Sequence, residues 1–125
     1  MLANQAQASE PVILLNPISA SATVNATSAW VDVRKYEGDL LVKVQSGALT
    51  GSITWTIEDA TDGSGTGAAG ITPNEGAFAA GAANQIQKRT VNAGATRGWI
   101  RVVGTIVTGP VLVAAALLSH PKYTS

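Results

Sequence analysis

A glycine-rich segment in the middle of the chain has the spacing of a nucleotide-binding loop. Residues 65–70 read Gly-Thr-Gly-Ala-Ala-Gly, which matches the G-x-G-x-x-G pattern, and they follow a run that we predict to be a strand. In dinucleotide-binding proteins these glycines let backbone amides at the start of a helix approach a pyrophosphate. Here Ile71, Thr72 and Pro73 come next, and no amphipathic helix pattern follows. The pattern therefore favours a flexible surface loop over residues 62–70, and we predict no nucleotide cofactor.

Three carboxylates and one histidine are the other side chains suited to catalysis or metal binding. Glu58, Asp59 and Asp62 cluster at the end of a predicted strand, but the further oxygen ligands that an EF-hand loop needs at fixed positions are missing. His120 is the only histidine and the chain has no cysteine, so a thiolate zinc site and a cysteine nucleophile are both excluded. We therefore expect a solvated acidic loop, no metal and no enzymatic activity.

Only Trp99 and Arg101 approach a pattern in which aromatic and basic side chains alternate on one face of a sheet. These residues are two apart on a predicted strand and so share a face, as aromatic and basic residues do on surfaces that bind single-stranded DNA. The 8 basic and 8 acidic residues are otherwise scattered, which leaves no basic stripe to neutralise phosphates. We interpret Trp99 as a rim residue paired with Arg101, and we predict no binding to nucleic acid.

The composition is poor in charge and contains no membrane-spanning segment. Charged residues make up 13% of the chain, against about 25% in ordinary soluble domains. Small residues must then cover much of the surface, which favours packing against a neighbour, although an ordinary alanine- and glycine-rich domain has the same composition. The longest apolar region, residues 106–118, is too short to cross a bilayer and is interrupted by Gly109-Pro110, so we predict no membrane contact.

Short runs with strand patterns recur along the chain, with turn residues between them. This spacing predicts an all-β fold: an antiparallel β-sandwich or jelly-roll-like single domain with about eight strands. In the clearest run, Ile53, Trp55 and Ile57 alternate with polar residues and are predicted to face the core. Residues 1–17 are predicted to form a flexible arm and residues 18–125 the sandwich domain.

Two local structures are predicted in the middle of the chain. Residues 40–45 and 52–59 are separated by a glycine-rich link, which favours a hairpin. Residues 78–83 are rich in alanine, but Gly76 and Gly81 limit them to a short helical turn.

The last predicted strand, Val111 to Leu118, is apolar on both faces. Side chains alternate along a strand, so one face of it must be covered by something other than the core, or must leave small alanines exposed. Because no helix is predicted to cover that face, we expect the strand pair of residues 99–118 to contain a contact with another protein subunit. The residues predicted for that contact are Trp99, Arg101, Leu112, Ala114, Ala116 and Leu118.

Parts of the sequence resemble small structural proteins of tailed bacteriophages. The similarity extends from Tyr36-Glu37-Gly38 through Trp55-Thr56-Ile57-Glu58-Asp59, and it is greatest in residues 97–105, 113–118 and 121–123. Over residues 27–123 the chain resembles capsid decoration proteins, also called cement or head auxiliary proteins, which are β-sandwich subunits on the outside of the shell.

The resemblance implies a non-enzymatic virion protein without cofactors, made in the cytoplasm of a bacterial host. It implies binding to the major capsid protein and self-association, since such proteins commonly act as trimers or other small oligomers. Several modest contacts become strong when they are presented together on a lattice. Two alternatives remain open: a protein of the neck, tail or fibre base, and a carbohydrate-binding sandwich module with exposed aromatic residues or loop-held calcium.

Overall fold

A computed structural model of the protein describes residues 10–21 and 26–120. Within these residues the chain forms nine strands and one turn of 3-10 helix, Ala93–Ala95, and no helix there is long and apolar enough to cross a membrane. The strands are β1 (Glu10–Ala20), β2 (Ala26–Thr27), β3 (Val31–Asp32), β4 (Asp39–Leu49), β5 (Ser52–Ala60), β6 (Ala69–Ile71), β7 (Gln85–Asn92), β8 (Trp99–Val107) and β9 (Val111–Ser119).

The strands form two antiparallel sheets. Sheet A has the order β1-β9-β4-β7, and sheet B has the order β2-β8-β5-β6, with β3 also pairing with β8. The pairing is nested along the chain, because β1 pairs with β9, β2 and β3 with β8, β4 with β7, and β5 with β6. The predicted all-β fold, an antiparallel β-sandwich, is therefore confirmed, with nine strands where about eight were predicted.

The core lies between the two sheets, and the alternating pattern of β5 points into it as predicted. Ile53, Trp55 and Ile57 are at most 3% exposed, whereas Thr54 and Thr56 are exposed. Sheet A contributes fully buried side chains opposite them, including Leu40, Val42, Val111 and Leu117. Burial of these aliphatic and aromatic groups provides the main favourable free energy of folding.

The hairpin predicted for residues 40–45 and 52–59 is wrong. β4 belongs to sheet A and pairs with β7 and β9, whereas β5 belongs to sheet B and pairs with β6 and β8. The link between β4 and β5 therefore crosses from one sheet to the other. Gly51 (φ +87°) in this link has no room for a Cβ, because the carbonyl oxygens of Val107 and Thr108 lie against it. Gly51 therefore allows the link between β4 and β5 to pack closely against the start of the link between β8 and β9. It does not form a hairpin turn.

The helical turn predicted for residues 78–83 is also not formed. Gln87 of β7 is buried, and its side-chain amide accepts a hydrogen bond from the amide nitrogen of Ala79 at 2.9 Å and donates to the carbonyl of Ala79 at 3.0 Å. The backbone amide of Gly81 donates to the carbonyl of Ile53 at 2.8 Å. Hydrogen bonds to β5 and β7 therefore replace the local bonds of a helix.

The predicted arm, residues 1–17, overlaps the first strand. β1 pairs with β9 from Glu10, opposite Ser119, to Ala20, opposite Val111. Leu14 of this strand is 6% exposed, because it packs into the core. Residues 10–17 of the predicted arm therefore lie in a strand of sheet A. Residues 1–9 and 121–125 lie outside the described residues. The latter range includes residues 121–123, the last segment of the sequence resemblance.

Candidate interaction surfaces

The six residues predicted for one contact lie on opposite sides of the sandwich. Trp99 and Arg101 alternate with buried residues of β8 and so project from the outer surface of sheet B, which we call face B. The other four alternate with buried residues of β9 and project from the outer surface of sheet A, which we call face A: Leu112, Ala114, Ala116 and Leu118. The prediction that residues 99–118 form one strand pair is wrong, because β8 lies in sheet B and β9 lies in sheet A.

On face B, Arg101 is held by a carboxylate and an aromatic ring. It lies directly opposite Glu58 on β5, and its Nη2 is 2.7 Å from Oε1 of Glu58. Its guanidinium also stacks over the indole of Trp30, 4.5 Å from the ring centroid. Such a cation–π contact adds to the ion pair and orients the arginine along the sheet.

Trp99 is covered in a similar way by Arg34. The guanidinium of Arg34 lies 5.5 Å from the centroid of the Trp99 ring, and its Nη2 is 2.8 Å from Oδ2 of Asp32. The hydrogen bond from Arg34 lowers the pKa of Asp32 to about 2. Trp99 was predicted to be a rim residue paired with Arg101. The arginine over its ring is instead Arg34, and Arg101 lies over Trp30.

The glycine-rich loop packs against the same two indoles. A Cβ at Gly63 would lie 3.0 Å from Cζ3 of Trp99, and a Cβ at Gly65 (φ +83°) would lie 2.8 Å from Nε1 of Trp30. Asp62 holds the loop together, since its Oδ1 accepts hydrogen bonds from the backbone amide of Ser64 at 2.9 Å and other donors of the loop bond to it as well. The glycines therefore allow the loop backbone to approach the tryptophans.

The three carboxylates examined as metal ligands point to different partners. Glu58 pairs with Arg101, and Asp62 bonds within its own loop. Asp59 is buried and accepts hydrogen bonds from Arg97, with Nη2 2.8 Å and Nε 3.2 Å from its Oδ1. The Arg97 hydrogen bond lowers the pKa of Asp59. Within residues 10–21 and 26–120, no cluster of three metal-ligating side chains is found.

Comparison with known proteins gives structural matches only. No family model matches the chain, and no curated protein matches it in sequence. The crystal structure of the SPBc2 prophage-derived protein YomS is similar with a TM-score of 0.55 and 15% identity, covering 89% of this chain and 93% of that one. A chain in the structure of infectious bursal disease virus, Gx strain, is similar with a TM-score of 0.50 and 8% identity, covering 94% of this chain and 34% of that one. What they share with this chain is the fold.

Face A carries three of the four large apolar side chains that are strongly exposed among the described residues, and the fourth, Val107, lies at the end of β8 on face B. One row of residues crosses the sheet from edge to edge, with Ile13, Ala116, Lys43 and Lys88 opposite one another on β1, β9, β4 and β7. Ile13 is 68% exposed at one edge. Further large apolar side chains, Ile86 and Leu112, are 53% and 49% exposed on the same face. Face A thus has large apolar side chains near both edges. The small alanine side chains between them form a depression.

A shallow groove follows β9 across face A. Its floor is formed by Ala114 and Ala116, and its walls by Ile13, Leu15 and Pro17 on one side and by Lys43 and Gln45 on the other. This part of the groove has a volume of about 220 Å³, and a second part of about 190 Å³ continues from Ala114 to Leu112. The floor from Ala116 to Leu112 is about 13 Å long. It can therefore accept more than one side chain of a partner.

Lys43 lines this groove, and Lys88 lies opposite Lys43 on β7. Among the described residues, neither lysine side chain forms an ion pair, hydrogen bond or ring contact, whereas each of the four arginine side chains does. Like charges directly opposite each other on neighbouring strands destabilise a sheet. Sequence analysis missed Lys88 and Ile13 as surface candidates, because the strand pairing that places them beside β9 and Lys43 is not a local property.

Proposed function

We propose that this chain is a non-enzymatic structural protein of a phage particle that binds the capsid shell and stabilises it as a decoration protein. Its partners are then the major capsid protein and further copies of itself. Its location is the capsid surface, after synthesis in the cytoplasm of the bacterial host. The observation that carries the proposal is the contrast between the two outer faces of the sandwich.

Face B satisfies its own charged and aromatic groups, whereas face A does not. Arg101 and Arg34 are paired with carboxylates and cover Trp30 and Trp99. Face A instead exposes three isoleucine and leucine side chains around an alanine-lined groove, whereas face B exposes one large aliphatic side chain, Val107. Exposed apolar patches of this kind are typical of surfaces that pack against another protein. We therefore propose the following contact residues on face A: Leu112, Ala114, Ala116 and Leu118.

Trp99 and Arg101 remain a second proposed contact, separate from the first. Because they project from face B, a partner that touches them cannot also cover the β9 groove unless it wraps around the sandwich. A lattice offers two different neighbours to one subunit, and several such contacts add to the total affinity.

The fold supports the proposal without deciding it. Jelly-roll-like sandwiches are common in viral capsid proteins, and the structures that share the fold come from a prophage and a virus. The same architecture also serves unrelated functions, so the surfaces carry more weight than the fold.

Cryo-electron microscopy of phage particles with and without the gene tests the proposal. We expect the domain on the outside of the shell, repeated with the capsomers, and we expect particles without it to open at lower temperature. A single ring of copies at the neck or tail would contradict decoration and favour the neck or tail alternative. Absence from purified particles would contradict any virion role.

The carbohydrate-binding alternative has less support. A sugar platform needs aromatic ring faces that are free for stacking, but Arg101 and Arg34 lie over Trp30 and Trp99. Binding on a glycan array that is lost in the Trp99→Ala variant would reverse this preference.

A further inference from the structure

We propose that the groove of face A docks a segment of another protein that combines an aliphatic side chain with a carboxylate. The aliphatic side chain lies on Ala114 and Ala116, and the carboxylate lies between Lys43 and Lys88. This inference rests on the proposed function, and it states the chemistry by which the capsid protein is recognised at this contact.

The apolar half of the proposal follows from the shape of the groove. The small side chains of Ala114 and Ala116 form a floor between the higher walls of β1 and β4. Ile13, at the edge of the groove, keeps 68% of its surface in water. An aliphatic side chain of a partner would cover the floor and remove part of Ile13 from water, which is favourable in proportion to the apolar area buried.

The charged half follows from the two lysines. Lys43 and Lys88 are directly opposite each other on β4 and β7, and Lys43 also lines the groove. The Cβ atoms of such a pair are roughly 5 Å apart, so the two charges repel each other. A carboxylate between them would accept a hydrogen bond from each ammonium group and turn this repulsion into attraction.

The described part of the chain does not supply that carboxylate. Six of its acidic side chains are already bonded to groups elsewhere in the structure: Asp32, Asp39, Glu58, Asp59, Asp62 and Glu75. Among the described residues, no acidic side chain forms an ion pair with Lys43 or Lys88. The carboxylate is therefore assigned to the partner.

A second copy of this chain fits the groove less well. A two-fold contact between identical subunits brings the same patch of both subunits together. Face A against face A would place Lys43 and Lys88 near the same lysines of the other copy, which is unfavourable because like charges repel. We therefore assign the groove to a different protein.

Co-sedimentation with capsids from phage that lack the gene tests this assignment. The purified full-length chain is compared with the variants Lys43→Glu and Lys88→Glu. The matched control is Lys35→Glu, which makes the same charge change at an exposed lysine next to Tyr36, in the link between β3 and β4. Circular dichroism and thermal unfolding confirm that each variant is folded.

We expect Lys43→Glu and Lys88→Glu to weaken capsid binding by about tenfold or more, while Lys35→Glu binds like the wild type. Raising the salt concentration should weaken wild-type binding more than binding of Lys43→Glu, because the partner charge is screened. Ala116→Lys, which fills the groove, should also lose binding.

Other outcomes separate the inference from the proposed function. If the wild type binds capsids and all the face A variants bind equally well, the groove assignment is overturned while the decoration function stands. If the wild type does not bind capsids, the decoration function is overturned, and the assignment of the partner is overturned with it. If sedimentation velocity shows that Lys43→Glu changes self-association, the occupant is a second copy. If wild-type binding to anionic vesicles or DNA is lost in Lys43→Glu, the occupant is not a protein.

Discussion

Gly104 of β8 lies directly opposite Trp55 of β5 in sheet B. A Cβ at position 104 would lie 3.0 Å from Cζ3 of the Trp55 indole and 2.9 Å from Cβ of Ala26. Because Gly104 has no side chain, the buried indole of Trp55 has room to pack against β8.

Gly104→Ala should lower the free energy of unfolding by about 1–3 kcal/mol, because an added methyl group overpacks the core. The matched control is Gly70→Ala in β6, where the nearest atom, Cγ2 of Thr56, would be at an ordinary 3.6 Å. Urea unfolding of the two variants measures the difference. Equal effects would show that the indole can move aside at no cost.

Gly65→Ala should destabilise the glycine-rich loop through two effects. Position 65 has φ +83°, and its Cβ would lie 2.8 Å from Nε1 of Trp30. Gly76 has φ +95° with no atom within 4 Å, so Gly76→Ala reports the backbone strain alone, which costs roughly 1–2 kcal/mol. We expect Gly65→Ala to lose more stability than Gly76→Ala and to shift the tryptophan fluorescence. A smaller loss at position 65 than at position 76 would contradict the contact with Trp30.

The ion pair of Asp59 and Arg97 should make stability depend on acidity. The Arg97 hydrogen bond holds the pKa of Asp59 below 3.8, although burial acts in the opposite direction. The unfolded chain therefore takes up this proton at higher pH than the folded chain. The stabilisation is complete above the unfolded pKa of about 3.9 and is lost as the pH falls through the lower folded value.

Asp59→Asn removes this contribution, so the loss of stability between about pH 5 and pH 3 should be shallower than in the wild type. At neutral pH the variant should be about 2 kcal/mol less stable, less than for a fully buried pair, because the Arg97 side chain is 39% exposed. Urea midpoints across this pH range test both statements. Parallel pH profiles for the two proteins would show that Asp59 is not the titrating group.

Ala114→Lys and Ala116→Lys should lower the number of copies on phage capsids. Either lysine would fill the groove and add a cation near Lys43. Ala80→Lys is the control, since Ala80 is an exposed alanine in the link between β6 and β7 and belongs to neither proposed contact. Quantitative electrophoresis of purified particles measures the occupancy. An equal loss with Ala80→Lys would show that the added charge, and not the filled groove, lowers the occupancy.

The sequence was sufficient where the decisive property was local. The alternation of Ile53, Trp55 and Ile57 with polar residues predicted their burial, because the two-residue period of a strand depends only on the strand itself. The apolar residues on both faces of β9 likewise indicated an unusual outer surface, and Leu112 is indeed 49% exposed there. The interpretation of residues 62–70 as a loop was correct for residues 62–68, but Ala69 and Gly70 pair with β5 as part of strand β6.

Strand partners and sheet membership were decided only in the tertiary structure. The pattern of residues 40–45 and 52–59 is compatible with a hairpin, yet the two strands lie in different sheets. Trp99 and Leu112 are close in sequence but project from opposite faces, whereas Lys43 lies between Ala116 and Lys88, which are distant in sequence. Register and pairing depend on burying one face of every strand at the same time, and that condition involves the whole chain.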